Sequence, residues 1–145
     1  MRNTERNRMQ KEVFILDSNI WISYVITKRL SILVTLIHNH QLTVLTSRYL
    51  VEEIQEVLSR SKFKKYLKHS DIKEVIAIHL KLCLFVGTDE TTYLLTDPKD
   101  NFLLNLYNKG KATVLVSGDK ELLHEASGLN YRVMSLREFE LSYTL

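Results

Sequence analysis

Loop-forming residues are scarce in this chain of 145 residues, which has 4 glycines and a single proline. Glycine and proline punctuate turns and linkers, so their scarcity leaves room only for short connections and argues against a linker or low-complexity segment. One cysteine, Cys83, excludes a disulfide framework or a thiolate zinc site within one chain, and fits a reducing cytoplasm. No apolar run reaches the roughly 20 residues that a membrane span needs. The opening MRNTERNRMQK is polar and basic with no hydrophobic stretch behind it, so it does not read as a secretory signal. An excess of one charge is lacking too: 20 basic and 17 acidic residues leave a net +3, too mild to name a polyanionic partner.

What is present is an ordinary globular composition, 45% apolar and 26% charged. A chain of this length buries roughly 68–70% of its extended surface. The expected organisation is a flexible basic tail over residues 1–11 and one compact domain over 12–145. Along that domain strand-like and helical patterns alternate. Residues 12–16 read as a strand, followed by helices from Asn19 to about Lys28 and from Ser31 to His40, the second with Ile32, Leu33, Leu36 and Ile37 on its inner face. Leu42 to Leu45 is a second strand, and Ser47 can cap a helix that turns Leu50, Ile54, Val57 and Leu58 inward. Ser70 is a cap candidate for a helix through Val75, Ile76, Ile78, Leu80 and Leu82, and Leu84 to Val86 is a short strand. Asp97-Pro98 has the chemistry of a helix start, and Gly110 that of a helix end. Thr113 to Val116, a helix from Asp119, Tyr131 to Met134 and a last helix from Leu136 to Leu141 complete the series. Strands alternating with helices imply an α/β fold with a parallel sheet flanked by helices.

In such sheets ligands bind outside the carboxyl ends of the strands. Asp17 stands there, straight after the apolar run Val13-Phe14-Ile15-Leu16, and Asp119 stands there after Thr113 to Val116. Asp97 and Asp100 open a helix whose start belongs near the same edge. Glu52 and Glu53 sit on the helix after the second strand, and helical side chains lean back toward the N-terminus. Singly, each has a structural explanation: Asp is a common N-cap, and a helical Glu is ordinarily solvated. Together, four segments aim carboxylates at one place, where they must protonate or share a cation. Hard oxygen donors without cysteine or a histidine cluster favour Mg²⁺ or Mn²⁺ over zinc, and such a metal would serve phosphodiester hydrolysis.

LDSNIWIS resembles the first motif of the PIN-domain nucleases, SRYLVEEIQEVLSRSKF their second, and TDPKDNFLLNLYNKGKATVLVSGDKELL their third and fourth, most nearly in a bacterial and archaeal branch of toxins from toxin–antitoxin pairs. The likeness runs from about Val13 to Glu138. It implies a PIN-like three-layer fold with a five-stranded parallel sheet, and metal-dependent cleavage of RNA. By it, Asp17, Glu53, Asp100 and Asp119 are the catalytic, metal-binding acids, with Glu53 preferred over Glu52. Asp97 matches an additional metal-binding acid of this branch, or caps its helix. Ser18, Asn19 and Ser117 match small polar residues that support the acids, and are otherwise ordinary turn residues. An antitoxin protein and a homodimer are partners the family suggests. Tyr107 stands where this branch usually has Ala, and Thr113 where it often has Asp.

Arg60, Lys62, Lys64 and Lys65, interleaved with Phe63 and Tyr66, are candidate nucleic-acid contacts; the competing reading is a solvated surface whose aromatics face the core. Trp21 reads as a core or dimer-contact residue rather than a base platform. The sequence thus points to a Mg²⁺- or Mn²⁺-dependent ribonuclease, cytoplasmic and membrane-free, against the alternative of a non-catalytic PIN-like module that binds RNA or protein. A phosphoryl-transfer receiver would need paired acids after the first strand, and Asp17 is preceded by Leu16.

Overall fold

The computed structural model describes residues 12–88, 95 and 100–143. Strands β1 (Val13–Leu16), β2 (Thr43–Thr46), β3 (Leu84–Phe85), β4 (Val114–Val116) and β5 (Val133–Met134) form one sheet in the order β3-β2-β1-β4-β5. All four pairings are parallel. Helices α1 (Ser18–Ile26) and α2 (Leu30–Asn39) connect β1 to β2, α3 (Arg48–Leu58) and α4 (His69–Leu82) connect β2 to β3, α5 (Asn101–Lys109) precedes β4, α6 (Lys120–Gly128) joins β4 to β5, and α7 (Leu136–Tyr143) closes the described chain. Among the described residues no helix is long and apolar enough to cross a membrane.

The central strands are buried because helices cover both faces, which is why β1 and β4 are written as unbroken apolar runs rather than alternating ones. Phe14, Ile15, Leu16, Val114, Leu115 and Val116 are all buried. Each such side chain contributes about 1.5–3 kcal/mol on burial. On α3 the stripe Leu50, Ile54 and Leu58 recurs every fourth residue and is wholly buried, while the Ser47 hydroxyl accepts from the Leu50 amide and caps the helix.

Several expected details change. Ile32 and Leu80, assigned inward, are half-exposed at 49% and 45%. The inner face of α4 is instead Ile72, Val75 and His79, spaced at helical intervals. Ser70 is not the cap of α4: the helix begins a residue earlier, and the Asp71 carboxylate accepts from the Lys68 amide. Gly110 ends α5 with φ −86, so it is not there for left-handed backbone. A Cβ at that position would run into Leu45 Cδ1; the glycine permits close approach, and Lys111 takes the left-handed turn at φ 55. The proposed tail over residues 1–11 and the helix start at Asp97-Pro98 lie outside the described residues.

Candidate metal centre

The strand order sets the site. From β1 the chain builds the sheet toward β2 and β3 on one side, while β4 and β5 fill the other, so the β1/β4 boundary is the switch point, where a crevice opens outside the strand ends. Asp17 is the first residue past β1, and its amide donates to the Val116 carbonyl at 2.9 Å, stitching it to β4. The residue is only 4% exposed. Oδ1 accepts from the Ser18 amide at 2.7 Å, and Oδ2 from Ser117 Oγ at 2.7 Å and Asn19 Nδ2 at 3.1 Å. Ser117 Oγ in turn accepts from the Asp119 amide at 3.0 Å, and Asn19 Oδ1 accepts from the Gly118 amide at 2.9 Å. Ser18, Asn19 and Ser117 thus form a small polar frame locking the ends of β1 and β4 around one carboxylate.

Burial pushes the Asp17 carboxyl above its ordinary pKa; the Ser117 and Ser18 hydrogen bonds pull it back, and the Asp119 charge adds to the rise. Glu53 reaches the same place from α3. Burial raises its pKa too, a hydrogen bond with the Ser18 side chain lowers it, and the Asp17 charge raises it again. Glu53 is half-buried whereas Glu52 is exposed, which separates two adjacent acids by their helix face. Asp119 caps α6: its Oδ1 accepts from the Glu121 and Leu122 amides at 3.0 and 3.2 Å, so the cap occupies one of its two oxygens. The cap and site readings of Asp119 are therefore compatible, and Asp17 likewise accepts from the first amide of α1.

Among the described residues no three carboxylate, imidazole or thiolate groups converge into a ready-made cage. The donor chemistry nonetheless fits one class of ion. Asp17 and Glu53 are two desolvated, mutually repelling hard-oxygen groups, and Mg²⁺ is ordinarily held by one or two carboxylates while keeping several waters. Zinc, which prefers nitrogen and sulfur donors, does not fit this set.

Asp100 stands at the N-cap position of α5, and its side chain makes no capping bond to that helix. The start of α5 lies on the acid edge, because Phe102 in its first turn meets Tyr49 in the first turn of α3 at a centroid distance of 6.3 Å. Asp97 lies outside the described residues. Of the basic candidates, Arg60 and Lys62 line a groove of about 520 Å³ together with Ser18, Asn19, Ile22, Val57 and Phe63, so the groove runs directly off the acid site. Arg60 is also paired with Glu56 at 2.9 Å. Lys64 and Lys65 are exposed and do not line the groove. Phe63 is half-buried with Lys62 over its ring, whereas Tyr66 is 65% exposed rather than packed inward. Trp21 is core: it is buried, and its Nε1 donates to the Leu16 carbonyl at 3.1 Å.

Three features escaped the sequence reading. His79 is a buried polar residue whose Nε2 meets Thr46 Oγ1 at 2.7 Å, and its helical spacing from Ile72 and Val75 is the signal that could have found it. Arg48 and Tyr49 form an exposed cation–aromatic pair at the head of α3. Tyr107 and Thr113 are joined, the Tyr107 hydroxyl donating to the Thr113 carbonyl at 2.9 Å.

The family model described as PIN domain matches residues 13–121. No curated protein matches the chain. Among solved structures, PAE2754 from Pyrobaculum aerophilum is similar with a TM-score of 0.63 at 13% identity, over 93% of this chain and 90% of that one. VapBC2 from Rickettsia felis, solved bound to a DNA fragment from their promoter, has a TM-score of 0.58 at 17% identity, over 85% of this chain and 98% of that one. At those identities the two structures speak for the fold.

Proposed function

Because the chain belongs to the PIN domain family, whose members are generally nucleases, we propose that it is a Mg²⁺- or Mn²⁺-dependent endoribonuclease and the toxin of a toxin–antitoxin pair. The observation that carries this reading is the meeting of Asp17 and Glu53 at the switch point, each raising the other's repulsive cost where a cation would relieve it. The Rickettsia VapBC2 likeness supports the toxin role and an antitoxin protein as partner. The buried Cys83, whose thiol burial pushes up to about 12, suits a cytoplasmic setting in which it stays reduced and inert.

In this reading Asp17, Glu53, Asp100 and Asp119 would hold the cation, directly or through waters it keeps, with Asp97 auxiliary. The bound ion would activate a water and offset charge on the phosphate under attack. The protein's own contribution is positional. Ser18, Asn19 and Ser117 fix both oxygens of Asp17, so no carboxylate rotation has to be frozen when substrate arrives. The Ser18 amide donates to Asp17 while its hydroxyl is within reach of Glu53, so one residue helps to position both acids. Arg60 and Lys62 neutralise phosphates of the strand leaving the site, and Lys64 and Lys65 add a longer-range field that salt screens.

Titration of Mg²⁺ and Mn²⁺ into wild type and Asp17→Asn/Asp119→Asn, with mixed RNA present and thermal stability followed, tests this. Cation-dependent cleavage and stabilisation are expected in wild type and absent in the double variant. If wild type neither binds the ions nor cuts RNA, the acids are helix caps and the protein is a non-catalytic PIN-like binding module.

A further inference from the structure

Arg48 and Tyr49 form an exposed cation–aromatic pair at the head of α3. Tyr49 is 39% exposed. Its partners are Arg48, whose guanidinium lies 5.0 Å from the ring centroid with Nη2 donating to the hydroxyl at 3.2 Å, and Phe102, tilted by 39° at 6.3 Å. A tyrosine kept for packing would turn its ring into the core, as Tyr24 does at 2% exposure. Instead the core stripe of α3 is the neighbouring one, Leu50, Ile54 and Leu58.

Tyr49 shares its own stripe with Glu53 and Val57, every fourth residue along α3. Glu53 is the carboxylate that meets Asp17, and Val57 lines the groove holding Arg60 and Lys62. Along one face of one helix therefore run an exposed ring, a site carboxylate and an apolar groove wall. Tyr49 is roughly 6 Å of helix rise from Glu53. Phe102 approaches from the other side, two residues beyond Asp100. The platform thus abuts the acid site on the side away from Arg60 and Lys62. It carries a cation of its own in Arg48, in a place otherwise dominated by carboxylates.

We infer that Tyr49, flanked by Phe102 and Arg48, is a stacking subsite for an unpaired RNA base beside the cleaved phosphate. The inference rests on the ribonuclease reading above. An aromatic face accepts any base, because every base has a π-face, and an exposed cation–π contact is weaker than a base–aromatic stack. An incoming base therefore displaces the Arg48 guanidinium from the ring, and the freed guanidinium is placed to meet the adjoining phosphate. A base held inside a duplex is already stacked on both faces and cannot reach the ring.

The test compares wild type, Tyr49→Ala and Tyr49→Phe on a mixed-sequence single-stranded RNA. Tyr49→Ala is expected to raise KM on the single strand about tenfold, with kcat little changed and thermal midpoint retained. Tyr49→Phe should restore the wild-type KM. In an Asp17→Asn background, a 2-aminopurine base in the single strand should be quenched on binding, and Tyr49→Ala should abolish the quenching. An unaltered KM in Tyr49→Ala overturns the subsite while leaving the nuclease standing. A wild type that cuts no RNA removes both. Replacing the nucleotide beside the cut with an abasic one leaves the protein untouched, and should reproduce the Tyr49→Ala loss in wild type.

Discussion

Asp17 and His79 are titratable side chains shut away from water one strand apart, Asp17 following β1 and His79 lying against Thr46 at the end of β2. Burial drives each toward its neutral form, raising the pKa of Asp17 and lowering that of His79 to about 4. Their surroundings differ. His79 packs its ring against Trp21 at 4.3 Å, has Cys83 Sγ at 3.9 Å from Nδ1, and bonds the Thr46 hydroxyl. Among the described residues no charge shifts it, and burial alone holds the imidazole neutral. Asp17 accepts from the Ser18 amide, Ser117 Oγ and Asn19 Nδ2, yet it feels the Asp119 charge and imposes its own on Glu53, so the ionised group repels itself. Burial by itself therefore does not mark a functional group. Like charges converging on a hydrogen-bonded frame do.

The largest expected effect separates the two places by what they damage. Glu53→Gln should lower kcat/KM on any RNA the wild type cuts on the order of 10²–10³-fold, the range for losing one preorganised electrostatic group, with the fold intact. Glu52→Gln, one residue along on the exposed face, should leave the rate unchanged. His79→Leu should do the reverse, lowering thermal stability while activity per folded molecule persists. A His79→Leu protein that folds normally but fails to cut would break the distinction.

Next in size is acid destabilisation through His79. The folded state holds the imidazole neutral, with its pKa lowered from 6.5 to about 4 by burial. Its contribution is therefore complete above 6.5 and is lost as pH falls from 6.5 through about 4, a total of about 3 kcal/mol. Asp17 and Glu53 carry the opposite sign: their pKa values are raised, so metal-free they contribute most below the unfolded carboxylate range and lose it as pH rises through the folded values. Urea unfolding across the acid range should show the fall in wild type and a shallower one in His79→Leu. Identical curves would place the proton elsewhere.

Smaller again is the stabilisation by Mg²⁺ at neutral pH, about 2.7 kcal/mol at a hundred times Kd. It should vanish in Asp17→Asn and persist in His79→Leu. Loss in both would mean that the His79 packing shapes the acid site.

The sequence was most readable where chemistry is local. Val13 to Leu16 and Val114 to Val116 are unbroken apolar runs, and Ser47 caps as its type and place suggest. Asp17 was legible as an anomaly, a carboxylate straight after a core strand. What holds it was not, since Ser117 lies 100 residues away and only the parallel pairing of β1 with β4 brings it near. Ile32 and Leu80 show a second limit: apolar type sets which residues can be buried, not which helix face finds a neighbour. Tyr49 shows a third, because nothing in the local pattern tells that its neighbour across the fold is Phe102, 53 residues along the chain.

The smallest effect concerns the edge opposite the acids, where Tyr107 and Thr113 depart from the PIN branch this chain resembles. The two departures answer one another. The Tyr107 hydroxyl donates to the Thr113 carbonyl and accepts from the Arg132 amide at 3.4 Å, while Thr113 Oγ1 accepts from the Val13 amide at 2.8 Å. The Tyr107 ring meets Tyr131 edge-on at 4.9 Å, so Tyr107 ties α5 to the starts of β4 and β5, while Thr113 ties the start of β4 to that of β1. Tyr107→Phe keeps the ring and removes the hydroxyl, so it should cost about 1 kcal/mol, read as a lower urea midpoint, with RNA cleavage unchanged. Thr113→Val should cost a similar amount by freeing the Val13 amide. Because both act through the same short belt, the double variant should lose less than the sum of the two. A full sum would mean that the hydroxyls work independently and that the pairing of the two departures is coincidental.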